Sequence, residues 1–139
     1  MKLCLDTNAY STLLRSGSNR NLASIQRSLQ SALEGASEIF MPVVTYGELL
    51  AGFSGGSKEK ENRELLAEFL GNYQAGILDV TSETAEWFAI LRKRLSARGK
   101  MMPTNDLWIA SITAQSGSQL LTLDRHFQEL PEIVTWIPE

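Results

Sequence analysis

Lys2-Leu3-Cys4-Leu5-Asp6-Thr7-Asn8, residues 2–8, sets the reading of the whole chain. A short apolar run that stops at a carboxylate reads as a buried strand handing an acid to the sheet edge. Similar runs recur at Ile39-Phe40-Met41, Ile77–Val80, Gln119–Leu123 and Ile133–Ile137. Helical spacing separates them. Leu22, Ile25, Leu29 and Leu33 repeat at intervals of three and four, and Gly35 closes that helix. Pro42 suits the first turn of the next helix, where its missing N–H costs nothing. That helix runs through Glu48 toward Phe53, and Ser54-Gly55-Gly56-Ser57 breaks it. Lys58–Leu70 carries an apolar stripe of Leu65, Leu66, Phe69 and Leu70, and Gly71 and Gly76 bracket the turn that follows. Ser82 leads in a helix marked by Trp87, Phe88, Leu91 and Leu95; Arg98-Gly99-Lys100 ends it, and Pro103 prevents its continuation. Leu107–Ala114 is apolar almost all round, which predicts a helix buried on most faces. Strands alternating with helices, often two helices per crossover, predict a three-layer α/β/α domain around a mainly parallel sheet of about five strands.

The chain has 139 residues, the size of one domain, and 1–139 reads as a single domain with Ser16–Asn21 as its most loop-like segment. Hydrophobic residues make up 43% and charged residues 21%, the composition of a soluble globular protein with a real core. Thirteen basic against 16 acidic side chains give a net charge of −3. That excludes a broadly basic nucleic-acid coat and leaves room for a local basic rim around an acidic site. A single cysteine, Cys4, excludes an intrachain disulfide and reads as an inert buried thiol in a reducing compartment. Lys2 followed by three apolar residues and Asp6 is far short of a signal peptide, and no apolar stretch approaches the ~20 residues of a membrane span. A cytoplasmic protein is expected.

In parallel α/β sheets, strand C-ends and helix N-ends open on one edge, where ligands bind. Asp6 follows the first strand and Asp124 the fourth. Glu48 lies in the second turn of the helix after strand two, and Asp106 opens the Leu107–Ala114 helix. Each has an ordinary explanation alone: a helix cap at Asp6 or Asp106, a solvated helix residue at Glu48, a turn with a surface ion pair at Asp124-Arg125. Convergence argues for more. Carboxylates within a few ångströms repel and have raised pKa values unless a cation sits among them. A hard divalent cation such as Mg²⁺ or Mn²⁺ prefers oxygen ligands, keeps several waters and bridges to substrate phosphate.

These segments resemble those of a known family. Leu3-Cys4-Leu5-Asp6-Thr7-Asn8 is similar to the opening strand and first acid of PIN-domain ribonucleases, and Thr45-Tyr46-Gly47-Glu48-Leu49 to their second acid in its helix. Pro103-Thr104-Asn105-Asp106-Leu107-Trp108-Ile109-Ala110 resembles the third, with its bulky helix. Leu121-Thr122-Leu123-Asp124-Arg125-His126-Phe127 resembles the closing segment with the fourth, and Val134-Thr135-Trp136 a final strand. The match covers nearly the whole chain in order, and within the family it most resembles the VapC-type toxins of bacterial toxin–antitoxin pairs. The resemblance implies an endoribonuclease with Asp6, Glu48, Asp106 and Asp124 as catalytic acids, Mg²⁺ as cofactor with Mn²⁺ able to substitute, RNA as substrate, a cognate antitoxin protein as partner, and a homodimer. Asp6 and Asp106, on a strand end and a buried helix, are the rigid supports expected to dominate metal binding, with Glu48 and Asp124 acting through waters or a second ion.

Thr7, Asn8 and Thr122 are candidates for hydrogen bonds that fix the Asp6 rotamer or a metal-bound water; capping the first helix is the alternative for Thr7 and Asn8. Arg98, Lys100 and Arg125, with Arg15 and Arg20, are candidates to meet RNA phosphates, with solvated surface charge as the alternative. Trp87, Trp108 and Trp136 are spaced as core residues. His126, the sole histidine, reads as structural or superficial, because one His supplies neither a metal cluster nor an acid–base pair. Cleavage through the 2′-hydroxyl is therefore disfavoured, and metal-assisted hydrolysis leaving a 5′-phosphate and a 3′-hydroxyl is expected. A phosphoacceptor receiver domain is disfavoured because Asp6 has no acidic neighbour and Asp79 falls within its strand. A haloacid-type phosphatase would need an Asp where Asn8 stands. A PIN-like nuclease or RNA-binding scaffold in RNA processing, without a toxin role, stays open.

Overall fold

The structure is a computed structural model that describes residues 1–138. The first half contains β1 (Lys2–Leu5), α1 (Thr7–Leu13), α2 (Arg20–Gly35), β2 (Glu38–Pro42), α3 (Val43–Phe53) and α4 (Glu59–Asn72). The second half contains β3 (Gly76–Leu78), α5 (Ser82–Ala97), α6 (Thr104–Ser116), β4 (Gln119–Leu121), a 3-10 helix (Arg125–Glu129) and β5 (Val134–Trp136). The strands form one sheet in the order β3-β2-β1-β4-β5, and every neighbouring pair is parallel. The chain winds outward from β1 to β3, then returns to the other side of β1 for β4 and β5. The order reverses between β1 and β4, and in open α/β sheets the crevice beyond the strand C-ends at such a reversal is where ligands bind.

Alternation along each strand builds two apolar layers. Leu3 and Leu5 of β1, Ile39 and Met41 of β2, and Leu121 of β4 face Tyr10, Leu29, Leu33, Leu49 and Leu66 from α1–α4. Cys4 of β1 and Leu120 of β4 point the other way, toward Leu91 and Leu95 of α5, Leu107, Ile109 and Ile112 of α6, and Phe127. Leu3, Cys4 and Leu5 are wholly inaccessible to solvent, so truncating either leucine to alanine would cost ~2–5 kcal/mol. Local signals set several helix ends. The Asn19 side chain caps α2, Thr81 and Thr84 form a reciprocal capping box before α5, and Gly117 ends α6 at φ +66, where a side chain would strain. No helix among the described residues is long and apolar enough to cross a membrane.

Three details differ from the sequence reading. Pro42 closes β2, in register with Leu78 of β3, and α3 starts only at Val43. β3, β4 and β5 are three residues each, because a strand ends where its pairing partner ends and not where apolarity ends. Asp79 therefore follows β3 instead of lying within it, and Thr122 and Leu123 are released from β4. The receiver alternative falls instead on topology, since receivers follow the order 2-1-3-4-5. None of the three tryptophans belongs to the buried core. All are half-buried, as suits a side chain too large to hide completely, and Trp108 stacks on Phe88 with ring centroids 4.1 Å apart.

Candidate active site

Asp6 is the first residue past β1. Its N–H extends the ladder by bonding the Leu121 carbonyl at 3.0 Å. Its carboxylate then does two things at once. Oδ1 accepts the Thr7 N–H at 2.8 Å and so caps α1, while Oδ2 accepts the Thr122 hydroxyl at 2.7 Å. Capping and site-building are not alternatives here. Only 4% of Asp6 is exposed.

The other acids converge from separate elements. Thr45 donates to the Leu5 carbonyl at 2.9 Å and locks α3 onto the end of β1. Glu48, one turn on, accepts the Thr7 hydroxyl at 2.7 Å through Oε1. Asn8 Oδ1 accepts the Leu123 N–H at 3.0 Å, and the Asp124 N–H donates to the Thr122 hydroxyl oxygen at 3.0 Å. Thr122 thus donates to Asp6 and accepts from Asp124. Asp106 lies in the first turn of α6, where the helix dipole favours an anion. Asp124 caps the 3-10 helix by accepting the His126 N–H at 3.1 Å.

Electrostatics ties the four acids together. Burial pushes the Asp6 carboxyl up to about 6; hydrogen bonds from Thr122 and Thr7 oppose the rise, and the charges of Asp106 and Glu48 add to it. Burial also raises Asp106, His126 opposes, and Glu48 and Asp124 push upward. Hard oxygen donors at mutually repelling positions are a donor set that fits a divalent cation.

His126 is what the sequence reading missed. It is half-buried among the acids, with Nε2 3.1 Å from Asp106 Oδ2 and Nδ1 2.5 Å from Asp124 Oδ1. Donor atoms of Asp106, Asp124 and His126 all lie within 4.8 Å of one another. The available signal was its place two residues after an Asp that caps a tight turn, which folds the ring back over that Asp. Arg98 and Lys100 are engaged elsewhere. Arg98 binds the Glu132 carboxylate at 3.2 Å and the Glu129 carbonyl at 2.9 Å, and Lys100 pairs with Glu129 at 3.8 Å. Burial acts to raise the Glu132 carboxyl, but its backbone N–H, Arg98 and Arg94 outweigh that and hold it low. Lys100 also shares with Arg92 the wall of a cavity of about 200 Å³ floored by Leu95 and Leu107. Arg125 is exposed beside Asp124.

The acids thus gather at the crevice between β1 and β4 of a parallel sheet, and the family description that matches this chain, over residues 3–133, is the PIN domain. The chain belongs to the PIN-domain family, and within it to the VapC-type group. It is 32% identical over 95 residues to Ribonuclease VapC4 of Mycobacterium tuberculosis, covering 66% of this chain and 70% of that protein. It is 27% identical over 92 residues to Ribonuclease VapC2 of Rickettsia felis, covering 66% and 67%. Among solved structures, VapBC2 from Rickettsia felis bound to a promoter DNA fragment superposes with a TM-score of 0.80 at 24% identity over the full length of both chains. VapBC-1 from nontypeable Haemophilus influenzae superposes at 0.79 and 20% identity, covering 99% and 98% of the two chains. These two likenesses are of fold.

Proposed function

We propose that the chain, as a single PIN domain over residues 1–139, is a cytoplasmic metal-dependent endoribonuclease and the toxin of a type II toxin–antitoxin pair. One observation carries the reading: Asp6, Glu48, Asp106 and Asp124 meet at the β1/β4 crevice, with Asp6 and Asp106 raised by burial and by neighbouring acids. Asp6 and Asp106 would hold Mg²⁺, with Mn²⁺ able to substitute, and Glu48 and Asp124 would support it. When bound, the ion supplies a Lewis acid that acidifies water and offsets charge on the phosphodiester. The chain's own contribution is orientation. Thr122 and Thr7 fix the Asp6 carboxylate, Thr7 also fixes Glu48, and Asn8 holds the strand-to-turn backbone at Leu123. Arg125, exposed beside Asp124, is the basic group placed to meet RNA phosphates, whereas Arg98 and Lys100 would first have to leave Glu132 and Glu129.

The VapC ribonuclease names of the relatives support RNA as substrate, and the solved VapBC complexes support an antitoxin partner. The chemistry of that partner follows from the site. A cluster of carboxylates attracts an Arg or Lys, which can take the cation's place with charge-assisted hydrogen bonds. The active form is proposed to be a homodimer.

The test pairs chemistry with growth. Purified protein should cut RNA in Mg²⁺ or Mn²⁺, stop in EDTA, and leave 5′-phosphate and 3′-hydroxyl ends. Expression alone should arrest growth, and co-expression with the neighbouring small reading frame should restore it. Cyclic 2′,3′-phosphate ends or full activity in EDTA would refute the mechanism. Cleavage without toxicity would instead favour a role in RNA processing.

A further inference from the structure

The imidazole of His126 faces two different carboxylates with its two nitrogens. Nδ1 lies 2.5 Å from Asp124 Oδ1, and Nε2 lies 3.1 Å from Asp106 Oδ2. The Nε2 contact is a hydrogen bond in which Nε2–H donates to the Asp106 carboxylate, and Nδ1 lies against Asp124 on the far side of the ring. A divalent ion taking the place of that shared proton would meet Nε2 and Oδ2 together, with the remaining ring N–H on Nδ1 beside Asp124.

We infer that His126 Nε2 is a direct ligand of the divalent ion beside Asp106, and that Asp124 is the carboxylate that orients the ring from its far side. This rests on the metal-site reading above and refines it, because it moves Asp124 from the ion to the histidine.

Geometry supports the assignment in three ways. Donors at ~2.0–2.2 Å from an ion, in adjacent octahedral positions, stand about 3 Å apart, which matches the Nε2-to-Oδ2 separation. Metal-ligating histidines usually give their other N–H to a carboxylate, which fixes tautomer and direction. The ring is also held. It stacks on buried Phe127 with centroids 4.8 Å apart and planes 21° from parallel, and Asp124 Oδ1 grips the His126 backbone N–H as well as its ring.

The chemical consequence is selectivity. Carboxylate and water donors suit Mg²⁺ and Mn²⁺ alike, whereas imidazole nitrogen suits transition ions. With His126 in the donor set, the site should prefer Mn²⁺ over Mg²⁺ more strongly than an all-oxygen site would.

The experiment uses the full chain, Mn²⁺ and Mg²⁺ titrations by calorimetry, and pulsed electron paramagnetic resonance of the Mn²⁺-loaded protein. Wild type should show a ¹⁴N coupling on Mn²⁺. His126→Ala and His126→Gln should both lose it, and Mn²⁺ affinity should fall about tenfold or more while Mg²⁺ affinity falls less. Asp124→Asn should keep the nitrogen coupling and weaken Mn²⁺ about tenfold, as expected for an orienting partner. Circular dichroism of the metal-free variants separates a lost ligand from a lost fold, and the two His126 variants need only one folded member. Mn²⁺ bound without ¹⁴N coupling, or affinities unchanged in a folded His126 variant, would overturn this inference and leave the metal site standing. A wild-type protein that binds no Mn²⁺ would overturn both.

Discussion

The Thr122 hydroxyl donates to Oδ2 of Asp6 at 2.7 Å, joining positions 116 residues apart in the chain. The same oxygen accepts the Asp124 N–H at 3.0 Å, so one hydroxyl sets the positions of two acids. Its loss would leave a buried carboxylate oxygen without a donor.

Thr122→Val should therefore destabilise the protein by ~1–3 kcal/mol and raise the Asp6 carboxyl above its present value of about 6. RNA cleavage should fall in parallel. Thr122→Ser, which keeps the hydroxyl, should recover most of both. Thermal melts and initial rates on the same preparations check this.

Asp6→Asn and Asp106→Asn should each abolish cleavage in Mg²⁺ while circular dichroism stays that of the wild type. An amide keeps the shape of the carboxylate and one acceptor oxygen, so the Thr7 N–H cap of α1 survives in Asp6→Asn. A variant that cuts RNA at the wild-type rate would remove that residue from the proposed site.

Metal-free protein should lose stability as pH rises through the window set by Asp6. Its folded carboxyl titrates near 6 against an ordinary value of 3.8, so the native state holds the proton more tightly than the unfolded chain. The cost of burying the charge is absent below pH 3.8, develops between 3.8 and 6, and is complete above 6. It amounts to about 2–3 kcal/mol at neutral pH. Urea melts in EDTA should show wild type losing ground to Asp6→Asn across this window, and added Mg²⁺ should reverse the order.

Cys4 should resist alkylation in the native protein. It is inaccessible, and burial pushes its thiol up to about 12, against weaker opposing contacts from Thr113 and Ser116. The thiolate is the reactive form. Iodoacetamide should modify the chain only after denaturant is added, and mass spectrometry reports the adduct.

How much of this was legible in the sequence depends on where each feature draws its information. Leu3-Cys4-Leu5 reads as a strand because both neighbours of β1 bury it, and buried apolarity is written locally. Asp6 and Asp106 could be placed by position, one at a strand end and one at a helix start. The limits of β3, β4 and β5 were not legible, since each ends with a partner far along the chain. Pro42 serves both elements at once, as the last residue of β2 paired with Leu78 and as the N-cap of α3, and only the pairing shows the first role. His126 reads as structural in the sequence because a lone histidine supplies neither a metal cluster nor an acid–base pair; its contact with Asp106, 20 residues back, is made only through space. The tryptophan spacing was helical, yet periodicity does not reveal how much of so large a ring a shallow layer can cover.

β1 lies between β2 and β4, although its sequence comes first and that of β4 begins at residue 119. During synthesis Thr122 is made 116 residues after Asp6, and Asp124 follows it. Until they arrive, the central strand has one free edge and the crevice has one wall. Non-local parallel pairing of this kind is also slow to form. The four acids of a growing chain therefore stay unassembled until translation has passed residue 124.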